Sequence, residues 1–391
     1  MAEPSLEQDW QIAGFGLYIH WPFCQSKCPY CDFNSHVSTQ IDQNAWRTAY
    51  LNEIERMAVL TGDRVLSTIY FGGGTPSLMP PQTTAAILDK IQKSWRLKND
   101  LEITLEANPT SVEAARLRAF KDAGINRVSL GIQALNDMDL RRLGRMHSGA
   151  EARKALELTA STFARYSFDL IYARQFQTLD EWQAELAEAL GFGSNHMSLY
   201  QLTVEDGTVF GERHRKGQLL GLPDDDLGAD FYELTQDMTR AAGIPAYEVS
   251  NHAASGAESR HNMIYWGSGD YAGIGPGAHG RLTLGAQRHS TAAPNSPNIW
   301  LQQALHGSVN DQRTVLGTSE LATEFLLMGL RLNQGISLSR FEIHAGRELP
   351  EDAIHELLDI GMVEIDGDIM AATAKGRPLL NAILLRLISA L

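Results

Sequence analysis

The chain has 391 residues, 43% of them hydrophobic and 20% charged, with a net charge of −14. Those figures fit two or three ordered globular domains and exclude a disordered chain. They also exclude a general grip on nucleic acid or on an anionic membrane, which needs a basic face. No run approaches the roughly 20 apolar residues of a membrane span. The greasiest stretch, Leu379–Leu385, is flanked by Arg377 and Arg386. Met1–Gln11 is acidic and polar, unlike a signal peptide. The three cysteines fall within eight residues, which is no disulfide framework. A cytoplasmic location is the expectation.

In chain order, β-branched and aromatic runs predict strands at Phe15–His20, Ser67–Phe71, Glu102–Ala107, Arg127–Gly131, Phe168–Tyr172 and His196–Leu202. Amphipathic stretches between them predict helices at Ala45–Leu60, Gln82–Trp95, Val112–Ala123, Ala150–Ala164 and Leu179–Leu190. Ser111 reads as an N-cap and Gly124 as a stop. Six βα units in series predict a parallel sheet with outer helices, either doubly wound or a full or partial barrel. Periodicity does not choose between these. A further helix is expected over Asp224–Ala242. Tyr247–Leu284 is rich in Gly, Tyr and His, and Ala286–Asn298 reads as a connector. From Ser319 the order is three helices, a hairpin over Val363–Met370 turning at Asp366-Gly367, and a last helix, as in a winged-helix module. That module carries six Arg and Lys against eleven Asp and Glu, the wrong sign for DNA.

The chemistry centres on Cys24, Cys28 and Cys31, spaced C-x3-C-x2-C just after the first predicted strand. Structural zinc wants four protein ligands, usually in paired C-x2-C knuckles. Iron–sulfur cubanes usually take four cysteines. Three thiolates leave one iron with an open position, as a ligand-binding cluster requires. A zinc site completed by His20 or His36 is the minor alternative.

This spacing, with Tyr30 before the last cysteine, resembles the signature of the radical S-adenosylmethionine (SAM) superfamily. Tyr18-Ile19-His20-Trp21-Pro22-Phe23 resembles its coproporphyrinogen-III-oxidase-like branch. The resemblance implies a partial (β/α)6 TIM-like radical SAM barrel followed by a smaller, mainly helical winged-helix-like module. The expected division is a core over 1–240, a connecting α+β region over 241–310 and the C-terminal module over 311–391. It implies a 4Fe-4S cluster on the three cysteines, with SAM chelating the open iron and cleaved there by one electron. By position, Tyr18, Tyr30, Gly73, Gly74, Thr75, Glu106, Gln133, Arg145 and Asp169 are the SAM contacts it implies. Gly72-Gly73-Gly74-Thr75 is glycine-rich but lacks the lysine of a phosphate loop. One departure is Ala173-Arg174-Gln175-Phe176, where the family more often has Gly-Leu-Pro.

The branch holds an oxygen-independent coproporphyrinogen oxidase and a heme-chaperone group (HemW type). The oxidase has a fourth cysteine two residues after the third; this chain has Phe33 there. The oxidase also has a longer segment ahead of its first strand. Both differences favour the chaperone group, without oxidase activity. His261-Asn262-Met263-Ile264-Tyr265-Trp266 matches that group's H-N-x-x-Y-W motif, which suggests His261, Tyr265 and Trp266 for heme. A structural histidine with core aromatics is the competing reading. The partners implied are heme and heme-acceptor proteins, membrane-associated ones among them. No nucleic acid and no transmembrane segment are expected, and the chain is expected as a monomer or homodimer.

Overall fold

The structure, a computed structural model, describes residues 5–38, 40–110 and 116–391. Its strands begin with β1 (Phe15–Trp21), β2 (Phe23–Cys24), β3 (His36–Val37), β4 (Val65–Gly73), β5 (Arg96–Ala107), β6 (Arg127–Gln133), β7 (Arg165–Tyr172), β8 (His196–Gln201) and β9 (Asn251–Ala253). They continue with β10 (Asp270–Ile274), β11 (His279–Leu284), β12 (Gln287–Ala292), β13 (Gln312–Val315), β14 (Ile336–Ser337), β15 (Val363–Asp366) and β16 (Ile369–Ala372). The six expected strands are β1 and β4 to β8. They lie side by side in chain order, all parallel. A doubly wound sheet reverses its order at a switch point. This one does not, so the fold is a partial barrel. β10 adds to the free edge of β1 in parallel, and β11, β12 and β13 follow antiparallel. β9 pairs antiparallel with β8 at the other edge. Residues from 270 to 315 therefore extend the same sheet.

The helices form where periodicity puts them, and their caps set the starts. Asp42 accepts from the Asn44 and Ala45 N–H groups at the head of Gln43–Thr61. Ser148 with Glu151, and Thr178 with Glu181, close capping boxes ahead of Gly149–Thr162 and Leu179–Leu190. Leu117–Asp122 is helical and Gly124 follows it at φ +112°. The expected cap at Ser111 lies outside the described residues.

Each barrel strand alternates. On β6, Val128, Leu130 and Ile132 join the apolar core beneath the helices, while Arg127, Ser129, Gly131 and Gln133 line the inside. On β7, Phe168, Leu170 and Tyr172 go outward, and Asp169 and Ile171 inward. A buried parallel strand is usually apolar on both faces. Here only the outer face is greasy, because the lumen is a polar cavity. Behind β1, Trp21, Trp46, Tyr50 and Trp300 pack ring against ring, and the Tyr50 hydroxyl donates to the His20 carbonyl at 2.6 Å.

The helix Arg260–Trp266 closes the lower end of the barrel. Ser259 caps it. It needs Gly16 on β1, since a Cβ there would lie 2.6 Å from Thr68 Oγ1 and 3.1 Å from His261 Nδ1. Its outer side meets the helix Thr318–Gly329 of the C-terminal module. That module holds four helices, Thr318–Gly329, Leu338–Ala345, Glu351–Asp359 and Leu380–Ile388, around a second apolar cluster. The small sheet β14–β16–β15 completes the winged-helix pattern. Leu380, Ile383, Leu384 and Leu387 of the last helix are buried in it. Among the described residues, no helix is long and apolar enough to cross a membrane.

Polar clasps join the module to the barrel. Arg340 reaches both Asp9 carboxylate oxygens at 2.8 Å, and His344 Nε2 reaches one of them at 2.8 Å. Those partners hold the buried Asp9 carboxyl down at about 2, against the cost of burial. Arg331 Nη2 donates to Glu248 at 3.1 Å, and Asn333 N–H donates to the Tyr247 carbonyl at 2.9 Å. Glu248 is fully buried. Arg331→Ala would leave it without an ion-pair partner and is expected to cost about 3 kcal/mol in urea unfolding. Adding Glu248→Gln should recover most of that loss, and independent, additive effects would refute the coupling.

The departure at Ala173 has a visible cost. Ala173 sits at φ +56°, a left-handed conformation that suits the glycine more usual there. The loop holds because the buried Arg174 binds Asp139, Glu185 and the Ile171 carbonyl. Ala173→Gly is expected to stabilise the protein by about 1 kcal/mol, read as a higher midpoint in the same unfolding assay. A lower midpoint would count against backbone strain at this residue.

Candidate metal centre and nucleotide site

A cavity of about 590 Å³ opens at the C-terminal ends of the parallel strands and runs down inside the barrel. That is where βα folds build their sites. Cys24, Cys28, Cys31, Tyr30, Gly73, Gly74, Thr75, Glu106, Gln133, Arg145 and Asp169 all line it. Residues separated by up to 145 positions are thus gathered from six segments around one space.

The cysteine loop leaves β1 and is held at its base. β2 pairs in parallel with β3, Phe23 opposite His36 and Cys24 opposite Val37. The Gly74 N–H donates to the Trp21 carbonyl at 2.7 Å, and the Thr75 N–H to the Phe23 carbonyl at 2.9 Å. This close approach explains the glycines. A Cβ on Gly74 would lie 2.8 Å from the Phe23 carbonyl oxygen, and one on Gly73, at φ +111°, 2.6 Å from the His20 ring. Asn34 ties the far side of the loop to the Pro276 and Asn295 carbonyls, each at 3.0 Å.

The donor set fits a cluster better than zinc. The three thiols are half-buried and unbridged. Burial pushes the Cys24 and Cys31 thiols up, and their thiol neighbours add to this. A bound cation would relieve that penalty. Thr75 Oγ1 lies 3.5 Å from Cys24 Sγ, and Arg145 Nη1 3.6 Å from Cys28 Sγ. Both are donors suited to sulfur carrying negative charge. The zinc alternative lacks its fourth ligand. His20 is engaged by the Tyr18 hydroxyl and the Asn34 carbonyl, and His36 Nε2 by Asn34 Oδ1. Among the described residues, no three His, Cys, Asp or Glu side chains converge as a single ion demands. A cubane spreads its thiolates over different irons.

Glu106 accepts from the Tyr70 hydroxyl at 2.9 Å and the Gly73 N–H at 3.2 Å. Burial nevertheless raises its carboxyl to about 7. Asp169 is raised to about 6 by burial, with Ser198, Arg127 and Ser129 opposing. Gln133 has φ +69°, where the β6–β7 register slips. This left-handed turn at the strand end brings Gln133 to the cavity. Arg145 donates to Asn108 Oδ1 and to the Gly131 carbonyl, while its Nε is buried without a partner. An incoming carboxylate could take that donor. Carboxylates, an amide, a guanidinium and bare glycine backbone together suit SAM's sulfonium, amino-acid and ribose groups.

Four expected site residues lie elsewhere. Tyr18 is packed behind Tyr70, 6.2 Å between ring centres, with its hydroxyl on His20 Nδ1. It shapes the wall without lining the cavity. His261 is buried and stacks on Tyr70 at 5.0 Å. Its Nδ1 is 2.7 Å from Thr68 Oγ1, its Nε2 is bonded to the Tyr265 hydroxyl, and its N–H donates to Glu102 at 3.3 Å. Burial pushes the ring down to about 3, so it is neutral. Tyr265 packs on Tyr271, and Trp266 lies under the Arg331 guanidinium at 4.7 Å. With both nitrogens taken, His261 has none to offer iron. The structural reading of the motif accounts for this arrangement. Its Asn262 does line the cavity, with Arg127, Ser129, His196, Ser198 and Asn251. Sequence reasoning missed these inner residues, although the polar–apolar alternation of β6 and β8 carried the signal.

The cysteine loop, the glycine turn and the strand-end polar groups on a partial barrel define a radical SAM protein. The sequence model of the Radical SAM superfamily matches residues 18–189, and that of the HemN C-terminal domain matches residues 318–379. The heme chaperone HemW of Escherichia coli is 36% identical over 381 residues, 96% of this chain and 98% of that protein. HemW of Mycobacterium tuberculosis is 37% identical over 373 residues, 94% and 93%. The mitochondrial radical S-adenosyl methionine domain-containing protein 1 of Bos taurus is 38% identical over 387 residues, 96% and 87%. Coproporphyrinogen III oxidase (HemN) from Escherichia coli shares the fold, with a TM-score of 0.80 over 98% of this chain and 93% of that one, at 20% identity. The chain belongs to the radical SAM superfamily, in the group that holds HemW and these mitochondrial proteins.

The titration of Glu106 makes a test of the pocket. A carboxyl raised to about 7 loses its proton as pH climbs through that value. SAM is a sulfonium cation, so its affinity should rise severalfold between about pH 6 and about pH 8 in calorimetric titration. Glu106→Gln should flatten the profile. A wild-type affinity that is flat over this range would remove Glu106 from contact with the ligand's positive charge.

Proposed function

We propose that this protein is a heme chaperone: it binds heme and passes it to acceptor proteins from a radical SAM scaffold. The observation that carries this reading is end-to-end kinship with HemW chaperones at 36% identity, together with Phe33 where the oxidase has its fourth cysteine. The likeness to the oxidase is one of fold. Cys24, Cys28 and Cys31 would hold a 4Fe-4S cluster, and Gly73, Gly74, Thr75, Tyr30, Glu106, Gln133, Arg145 and Asp169 would hold SAM. Bound there, the cluster supplies an electron and an open iron corner for the amino-acid end of SAM. The chain's own residues bind and orient: Arg145 braces the Cys28 side of the loop, and Glu106 fixes the glycine turn through Gly73.

Heme itself meets the protein outside the barrel in this reading. The inner end of the lumen is lined by polar side chains, Arg127, Ser129, His196 and Ser198 among them, whereas a macrocycle needs an apolar face. The acceptors, membrane-associated ones among them, belong to the proposal, as do a cytoplasmic location, a monomer or homodimer, and the division into a core, a connecting region and a C-terminal module. The relatives include bacterial and mitochondrial proteins alike.

Anaerobically reconstituted protein with coproporphyrinogen, SAM and reductant is expected to form no protoporphyrinogen. Turnover would establish the oxidase instead. Heme titration should give a saturable Soret shift. His261→Ala should keep that shift while its thermal midpoint falls, because Thr68 and Tyr265 lose their common partner. Loss of heme affinity in a folded His261→Ala protein would restore His261 as a ligand.

A further inference from the structure

The cavity runs deeper than the groups that a cluster and SAM would engage. Past Glu106 and Asp169 it reaches Arg127, Ser129, His196, Ser198 and Asn262. We propose that this inner end is a separate subsite for a small carboxylate compound, seated on the Arg127 guanidinium and bounded by Ser129, Ser198 and His196.

Arg127 carries the inference. It is 3% exposed and lines the cavity, yet among the described residues it forms no ion pair. Its one side-chain bond there is to Ser167 Oγ at 3.0 Å. A guanidinium has five N–H donors. Other buried arginines here are paired: Arg64 and Arg288 with Asp270, Arg174 with Asp139 and Glu185. Asp169 and Glu106 compensate its charge through space, yet neither carboxylate bonds it, so N–H donors remain for a ligand.

The nearby carboxylates are already spoken for. Glu102 is bound by Arg165 at 2.9 Å and by the His261 N–H. Glu106 is held by Tyr70 and Gly73, and Asp169 by Ser129 at 3.4 Å. A second residue lines the same end of the cavity. His196 is 3% exposed, with Nε2 on the Tyr247 hydroxyl at 3.0 Å and Nδ1 buried without a partner. Burial and Arg127 hold this ring neutral. The planar guanidinium fork matches a carboxylate. A monoanion also sits better below Asp169 and Glu106 than a phosphate dianion would. The subsite therefore suits a small organic acid held alongside SAM.

Acetate is the probe, with acetamide as its neutral isostere, on anaerobically purified full-length protein at constant ionic strength. Acetate should bind saturably by calorimetry and raise the thermal midpoint; acetamide should do neither. Arg127→Gln should weaken acetate at least tenfold. Ser129→Val, which fills the floor and keeps Arg127, should do the same if the first variant folds poorly. Saturating SAM should leave acetate affinity within twofold, and both variants should still bind SAM. Equal effects of acetate and acetamide, or retained acetate binding in both variants, would overturn the subsite. Competition between acetate and SAM would overturn it too, by showing that Arg127 serves the carboxylate of SAM itself. A failed heme titration would leave this result untouched.

Discussion

The structure depends on a sheet that is greasy on one face and wet on the other. Val128, Leu130 and Ile132 hold the helices, while Arg127, Ser129 and Gln133 face a lumen that no side chains fill. A barrel core normally packs branched apolar residues against one another. Giving that up removes a large hydrophobic contribution from the centre of the fold. The compensation comes from outside the barrel: the aromatic stack behind β1, the polar helix that seals the bottom, and the C-terminal module clamped on through Glu248 and Asp9. The cavity is affordable only because those elements are in place.

That arrangement links the far module to the site. Val249, Ser250 and Asn251 line the cavity wall. Glu248 accepts from the Ser250 N–H at 2.9 Å and from Asn251 Nδ2 at 2.7 Å, and Asn251 in turn accepts from Ser198 at 2.9 Å. Ser198 touches Asp169. An unbroken polar chain thus runs from Arg331 in the C-terminal module to a carboxylate that would face SAM. Displacing the module would take the cation from Glu248 and leave its carboxylate to Ser250 and Asn251 alone.

The cysteine loop was legible because its information is local: three cysteines at two spacings after one strand. The strand-end contacts were legible because βα folds deliver them in chain order, and Glu106, Gln133, Arg145 and Asp169 appear in that order. The choice between a partial barrel and a doubly wound sheet was not legible, because it rests on which strands are neighbours. The continuation of the sheet through β10 to β13 was hidden for the same reason. The inner polar residues stood in plain view as alternation on β6. They were passed over because polar positions on a strand are usually read as facing solvent.

His261 shows where motif reading stops. Histidine with tyrosine and tryptophan suits a heme pocket, and the same three residues suit the plug of a hollow barrel equally well. What separates the two is whether a ring nitrogen is free, and that is decided by Tyr265 within the helix and by Thr68, 193 positions away in the chain. Seven helical residues show Tyr265 but carry no trace of Thr68. Gly16 does carry one, since a glycine inside a β-rich run signals close approach by another element. Here the approaching element is the motif helix itself, so the motif and Gly16 describe one contact: the floor that lets a polar cavity exist above it.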